Sequence, residues 1–558
     1  MTAINTFCPA FAILFSLILC SCPLRVFGRS KPLAETVNGT FRGLHLPNFD
    51  QDLFLGVPFA QKPIGELRLS RPAFLNSSWE GIRSAERRGF SCQGYAGFAQ
   101  GLTMAEVRPA NVTARSKLPV LVWIYGGGFT AGGSADPRYN TSFIVRESVR
   151  MGKPIMAISI NYRVGAWGFL ASKEIRDAKA SNIGLYDQRL ALRWIHENVA
   201  GFGGDPDAVT ISGESAGAFS VGYHLVGFGG NHDNLFRAAI LQSGSALGPA
   251  LNSIDHLQGS YQPIYDNITK VVGCNTSKDS LACLRSVPFE KLSRAFEPFV
   301  LTPVLDGDFL DKLPSQSYAK GEVADVAMLI GANTDEGTAT FFGPRGTLNN
   351  ETDVATYVSS LGRGLDSKET KTIMALYPDD PRQGCPFNTG NQRFAHQNGQ
   401  QYKRGAAIAG DSAIIAGRRA SAQYHALSKS TYSYRFDQPP WNGIEVLVAT
   451  EPPVYSTHYA EICFVFNLDP ELSRNNSNWI GPYKSYHHLA AQISNAWISF
   501  VHELDPNHDG SHLPQWPAYS TASPTNMVFT ASGSHIEPDD WRAPQLAYWT
   551  EIWRALKT

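Results

Sequence analysis

Continuous apolar runs alternate with stretches of helical spacing through the middle of this chain. Residues 119–125 (PVLVWIY), 155–161 (IMAISIN) and 208–212 (AVTIS) have the length and β-branched content of buried strands. Residues 238–242 and 326–331 read the same way. Between them, 187–199 predicts a helix with Ala191, Trp194, Ile195 and Val199 on one face, and 216–225 predicts another. Near the end, Leu489, Ile493, Trp497, Phe500 and Leu504 follow helical spacing. Strands that are apolar throughout, separated by helices, predict an α/β fold with a mostly parallel sheet covered on both faces. The stretches 253–303 and 342–410 are less regular and are expected to be large insertions packed over the sheet. No repeat, low-complexity tract or charged linker marks a second domain, so one domain is expected.

The amino terminus changes the picture. Residues 11–20 (FAILFSLILC) form an apolar run too short to span a bilayer, followed by Val26 and Gly28 at small-residue positions. A signal peptide over 1–28 is expected, leaving a domain over 29–558 that is secreted and has no integral membrane span. Asn-x-Ser/Thr sequons at Asn38, Asn76, Asn111, Asn140, Asn267, Asn275, Asn350 and Asn475 fit a glycosylating compartment. Of the eight cysteines, Cys8, Cys20 and Cys22 leave with the signal, and Cys92, Cys274, Cys283, Cys385 and Cys463 remain. Cys274 and Cys283 close a short polar loop as the natural disulfide pair, a closure that stabilises by roughly 2–3 kcal/mol. One cysteine of the remaining three is odd. A net charge of −1, with 17% charged residues, gives no electrostatic footprint for nucleic acid.

Chemistry enters at Gly213-Glu214-Ser215-Ala216-Gly217, between a predicted strand and a predicted helix. A serine flanked by glycines at such a junction has the pattern of an α/β-hydrolase nucleophile elbow. Only small residues at positions −2 and +2 let strand and helix pass closely enough to lift the hydroxyl clear of the sheet. A serine hydroxyl also needs a base, a carboxylate to orient that base, and donors for the developing oxyanion. Gly126-Gly127-Gly128-Phe129 follows the PVLVWIY strand, where bare backbone can aim the amides of Gly127 and Gly128 at a carbonyl oxygen, with Ala216 as third donor. Asp335 and Glu336 follow the strand that ends at Gly331, where open α/β sheets carry their sites; an acidic pair opening a helix is the plainer alternative. Among 14 histidines, spacing alone does not choose His458 over His487 or His488.

These motifs, taken with their surroundings, resemble the type-B carboxylesterase/lipase family, which includes cholinesterases and fungal secreted lipases. The resemblance runs through LGVPFAQKPIGELRL (55–69), WIYGGGF (123–129), NYRVGAWGFL (161–170) and DQRLALRWIHENVAGFGGDPDAVTISGESAG (187–217). It continues through TPVLDGDFL, GANTDEGT and HYAEICFVF to WPAY. It implies an α/β-hydrolase fold and a secreted serine hydrolase that cleaves carboxylic esters, of lipid or small-molecule type, through an acyl-enzyme. By the same resemblance Ser215, Glu336 and His458 are the catalytic residues and Glu214 is an active-site carboxylate giving electrostatic support. Arg163 and Asp187 are the expected structural ion pair.

The chain departs from the family pattern once. Cys92 is followed by GYAGFAQGLTMAEVRPANV, without the usual Ser-Glu-Asp-Cys-Leu stretch, so its disulfide partner is absent and strand residues and an acidic structural residue are expected to be missing. The region also holds no tryptophan to bind a quaternary ammonium group, so a choline ester is disfavoured. The competing reading is an inactive relative with a binding role, or a truncated gene product. Asp505 to Gly510 imitates the start of a calcium loop, but Trp516 stands where glutamate is needed. No metal and no cofactor is implied.

Overall fold

The structure, a computed structural model, describes residues 31–89, 102–248, 252–253, 261–339, 343–344, 347–361, 365–441, 455–469 and 479–553. The expected signal peptide, Cys92 and Asn475 lie outside the described residues. Among the described residues eleven strands form the central sheet: β1 (Leu44–Leu46), β2 (Gln51–Pro58), β3 (Thr103–Pro109), β4 (Leu118–Ile124), β5 (Met156–Ile160), β6 (Gly204–Glu214), β7 (Ala238–Gln242), β8 (Ala327–Asn333), β9 (Thr431–Phe436), β10 (Thr525–Phe529) and β11 (His535–Pro538). Their spatial order is β11-β10-β9-β8-β7-β6-β4-β5-β3-β2-β1. From β5 through β10 every neighbouring pair is parallel, and the flanking pairs are antiparallel. The mostly parallel sheet expected from the alternation is therefore present, in the α/β-hydrolase architecture that the resemblance implies. The central strands β5 and β7 are buried at every position, as a sheet covered on both faces requires.

Helices α1 (Ser142–Arg150), α2 (Ile183–Asn198), α3 (Ala216–Val226) and α4 (Lys484–Glu503) supply much of that cover. The elbow helix α3 packs on β4, β6 and β7, and α4 packs on β4, β6 and α1. The two irregular stretches are more helical than their composition suggests. The first holds helices Gln262–Val272, Ser280–Ser286 and Phe289–Phe296; the second holds Glu351–Leu361, Ser367–Leu376 and Tyr402–Gly410. Most of these helices are short, one ending at Gly273 and another opening on an Asp366–Glu369 capping box, so the periodicity that marks α2 does not develop in them; Tyr402–Gly410 instead runs on through Asp411–Ile415 into Ala416–His425. Cys274 and Cys283 join the end of the first of these helices to the second as a disulfide, with Cα atoms 5.7 Å apart. Cys385 and Cys463 are buried thiols.

The segment after Cys92 overturns one expectation. Thr103–Pro109 is a full strand, β3, hydrogen-bonded between β2 and β5, so this slot of the sheet is filled. Met104, Ala105 and Val107 are apolar enough to be buried there, and Glu106 supplies a buried acid. The unusual local sequence hides a strand because the slot between two existing strands, rather than β-propensity, decides its conformation.

Arg163 and Asp187 connect the loop after β5 to helix α2. The Arg163 backbone N–H and Nε donate to Asp187 Oδ2 at 3.0 and 2.8 Å, and Nη2 donates to Oδ1 at 2.7 Å. Asp187 is fully buried. Two residues on, the Gly165 N–H donates to the Phe129 carbonyl at 2.6 Å, so the pair also braces the glycine-rich loop after β4. Removing one partner of such a pair strands a charge out of water and costs about 3–5 kcal/mol. Arg163→Ala is therefore expected to lower the unfolding free energy by about that amount in urea titrations. A loss under about 1 kcal/mol, the range of an exposed pair, would contradict the bracing role.

Candidate active site

Ser215 lies at the end of β6 and directly before α3, with φ 56° and ψ −124°, a backbone conformation that L-residues rarely adopt. Two hydrogen bonds hold it: the Ser215 N–H donates to the Gln242 carbonyl at 3.0 Å, and the Phe219 N–H donates to the Ser215 carbonyl at 2.8 Å. The glycines on either side are there for space. A Cβ on Gly217 would stand 2.0 Å from the Ile124 carbonyl oxygen, and one on Gly213 would stand 2.4 Å from the Gly217 carbonyl carbon. Neither contact can be relieved by a side-chain rotation, because backbone is on both sides.

The glycine-rich loop abuts this turn. A Cβ on Gly126 would lie 3.0 Å from Ser215 Cβ and 2.9 Å from Glu214 Oε2. Gly127 and Gly128 follow at φ 109° and φ 61°, exposed to solvent, in a turn closed by the Thr130 and Ala131 N–H groups on the Gly127 carbonyl. Ala216 opens α3, and a helix start leaves its first amides without intrahelical acceptors. Backbone donors thus flank the serine from two elements.

Glu336 and His458 come together from sequence positions far apart. Glu336 is fully buried in a short turn after β8, and His458 is 1% exposed. Glu336 Oε2 lies 2.5 Å from His458 Nδ1 and Oε1 accepts the Asn333 N–H at 2.7 Å. The two loops are stitched by the Asp335 N–H to the Ser456 carbonyl and by a Thr338–Thr457 hydroxyl contact of 2.7 Å. The other imidazole nitrogen, Nε2, is 3.0 Å from Glu214 Oε1. Burial, reinforced by the neighbouring Glu461 and Glu336 carboxyls, pushes the Glu214 carboxyl well above the ordinary range, with Arg138 opposing. His487 and His488, the alternatives left open by spacing, sit on α4 instead. Cys274 and Cys283 belong to the insertion.

Three further residues were not singled out by sequence. Gln242 and Asn333 end β7 and β8, and Glu461 follows His458 by three positions. Glu461 Oε1 accepts Gln242 Nε2 at 3.1 Å and Oε2 accepts Asn333 Nδ2 at 2.8 Å. The available signal was a polar residue closing each of two otherwise apolar strands, AAILQ and AMLIGAN.

A turn-borne serine, a carboxylate-bound imidazole and a glycine-rich loop beside the serine, on this sheet, place the chain in the class of α/β-hydrolases. Comparison with known proteins narrows that class. The model of the carboxylesterase family matches residues 30–549. The chain is 35% identical to Lipase 4 of Diutina rugosa, covering 92% of this chain and 94% of that one. It is 33% identical to Secreted lipase 1 of Botryotinia fuckeliana, covering 89% of each. Its fold is similar to that of Aspergillus niger EstA, with a TM-score of 0.80, 25% identity, and coverage of 95% of this chain and 99% of that one. The chain belongs to the carboxylesterase family, and its enzyme class is carboxylic ester hydrolase.

Asp335, beside Glu336, offers a test of the local electrostatics. Burial pushes its carboxyl up to about 7, although the Phe387 N–H donates to Oδ1 at 2.8 Å. An unfolded aspartate ionises near pH 4. Between about pH 4 and 7 the folded chain thus holds a proton that the unfolded chain has lost, and this group makes stability fall as pH rises. Asp335→Asn keeps an oxygen for Phe387 and removes the titration. Denaturation midpoints are expected to match wild type near pH 4 and to exceed it by pH 7; parallel curves across that window would contradict the assignment.

Proposed function

We propose that this protein is a secreted esterase that works through an acyl-enzyme on Ser215. His458 Nε2 takes the proton as Ser215 Oγ bonds to the ester carbonyl carbon. The resulting oxyanion is held by the amides of Gly127, Gly128 and Ala216. His458 then protonates the leaving alcohol, the acyl–alcohol bond breaks, and water repeats the cycle in reverse roles to release the acid and free serine. Glu336 keeps the Nδ1–H tautomer and stabilises the imidazolium. Glu214 tunes the field beside the nucleophile.

The observation that carries this reading is the buried His458–Glu336 contact of 2.5 Å in the same site as a serine at φ 56°. An inactive binding protein has no need to retain both a strained serine and a buried base–acid pair. The substrate class is a carboxylic ester of lipid or small-molecule type. Secretion is supported by the apolar run at 11–20, and no described helix is long and apolar enough to cross a membrane. Asn76, Asn267 and Asn275 are exposed and suited to carry glycans.

Steady-state hydrolysis of p-nitrophenyl esters from short to long acyl chains tests the proposal. Ser215→Ala is expected to lower kcat by roughly a thousandfold or more with the fold intact. A maximum at short chains would define a carboxylesterase, and one at long chains a lipase. Equal rates in folded wild type and Ser215→Ala would overturn the serine mechanism and favour the binding role.

A further inference from the structure

Strands β7 and β8 are neighbours, and each ends an apolar run with a side-chain amide. Glu461 lies between the two amides, 1% exposed, and accepts one hydrogen bond on each carboxyl oxygen, from Gln242 and Asn333. Both amides are tied to the proposed machinery. The Gln242 carbonyl accepts the Ser215 N–H at 3.0 Å. The Asn333 backbone N–H donates to Glu336 Oε1 at 2.7 Å, and Asn333 Nδ2 also donates to the carbonyl of Thr457, the residue before His458, at 2.7 Å.

We infer that Glu461 is a positioning residue that holds the serine turn, the acid and the histidine loop in register. This rests on the Ser215–Glu336–His458 reading above. Two facing amide donors need two acceptors, and a carboxylate offers both from one side chain. Glutamine in its place would face one NH2 with another and leave a buried donor unmet. Burial and the nearby Glu336 raise the Glu461 carboxyl, while its two amide donors oppose the rise. A buried acid at that cost is understandable where it fixes geometry. Reaction rates respond to displacements well below the size of a side chain.

The geometry allows an exchange that separates positioning from general stability. In Gln242→Glu with Glu461→Gln, the new glutamine accepts from Asn333 and donates to the new glutamate, whose other oxygen still accepts Trp497 Nε1, now bonded to Gln242 Oε1 at 3.1 Å. The donor–acceptor pattern survives with the charge moved by one residue. Full-length secreted protein is assayed for p-nitrophenyl ester hydrolysis, for the rate of fluorophosphonate labelling at Ser215, and for Tm. Glu461→Gln alone is expected to lower kcat and the labelling rate about ten- to a hundredfold with KM little changed, and the exchange is expected to recover most of the loss. Gln242→Met, which removes a single arm, is expected to lower kcat about three- to tenfold and serves if Glu461→Gln does not fold. Undiminished kcat in folded Glu461→Gln or Gln242→Met would overturn the inference. So would an exchange variant with wild-type Tm that stays as slow as Glu461→Gln. Failure of wild-type Ser215 to label would instead overturn the triad reading, and this inference with it.

Discussion

The backbone of Ser215 is the constraint around which the rest is arranged. A residue held at φ 56° and ψ −124° costs of order 1–3 kcal/mol and persists only where its neighbours over-determine it. Here they do: β7 takes its N–H, α3 takes its carbonyl, and glycines at 213 and 217 remove the atoms that would push strand and helix apart. The strain is carried by the most buried part of the sheet. A looser sheet would let the turn relax into ordinary helix, and the hydroxyl would sink toward the core.

Around that turn, the parallel order of the central strands brings distant sequence together. The loop after β4, the turn after β6 and the acid after β8 all leave from strand carboxyl ends; β6 and β8 flank β7, and β4 lies beside β6. Among the described residues His458 lies on a loop, outside the strands. It is brought in by the stitches between its loop and the turn after β8, with Glu461 between β7 and β8 behind it. The result is a buried cluster of three carboxyl groups, those of Glu214, Glu336 and Glu461, and one imidazole. In such surroundings charge is expensive, so burial drives the Glu214 carboxyl upward, and each remaining polar atom needs a defined partner.

Much of this was legible in the chain itself. Runs such as PVLVWIY and AVTIS are strands because they are short, largely apolar and rich in β-branched residues, and the helix beginning at Ala216 follows from the glycine-spaced serine. The glycine loop was legible because its position after a strand has a chemical reason. The proposed acid and base were not: Asp335 versus Glu336, and His458 among 14 histidines, are distinguished by three-dimensional proximity, and a family resemblance was needed to choose. Thr103–Pro109 is not legible as a strand because a strand between two others is specified by its slot. Glu461, Gln242 and Asn333 escaped notice since a hydrogen-bond triangle across two strand ends leaves no periodic trace.

The most direct test of the account is the site of covalent capture. The purified protein is treated with a fluorophosphonate probe, and the adduct is mapped by peptide mass spectrometry. A single stoichiometric adduct on Ser215, absent after heat unfolding, is the predicted result. No adduct on the folded protein, or an adduct on another serine, would contradict the central claim that this strained turn carries the nucleophile.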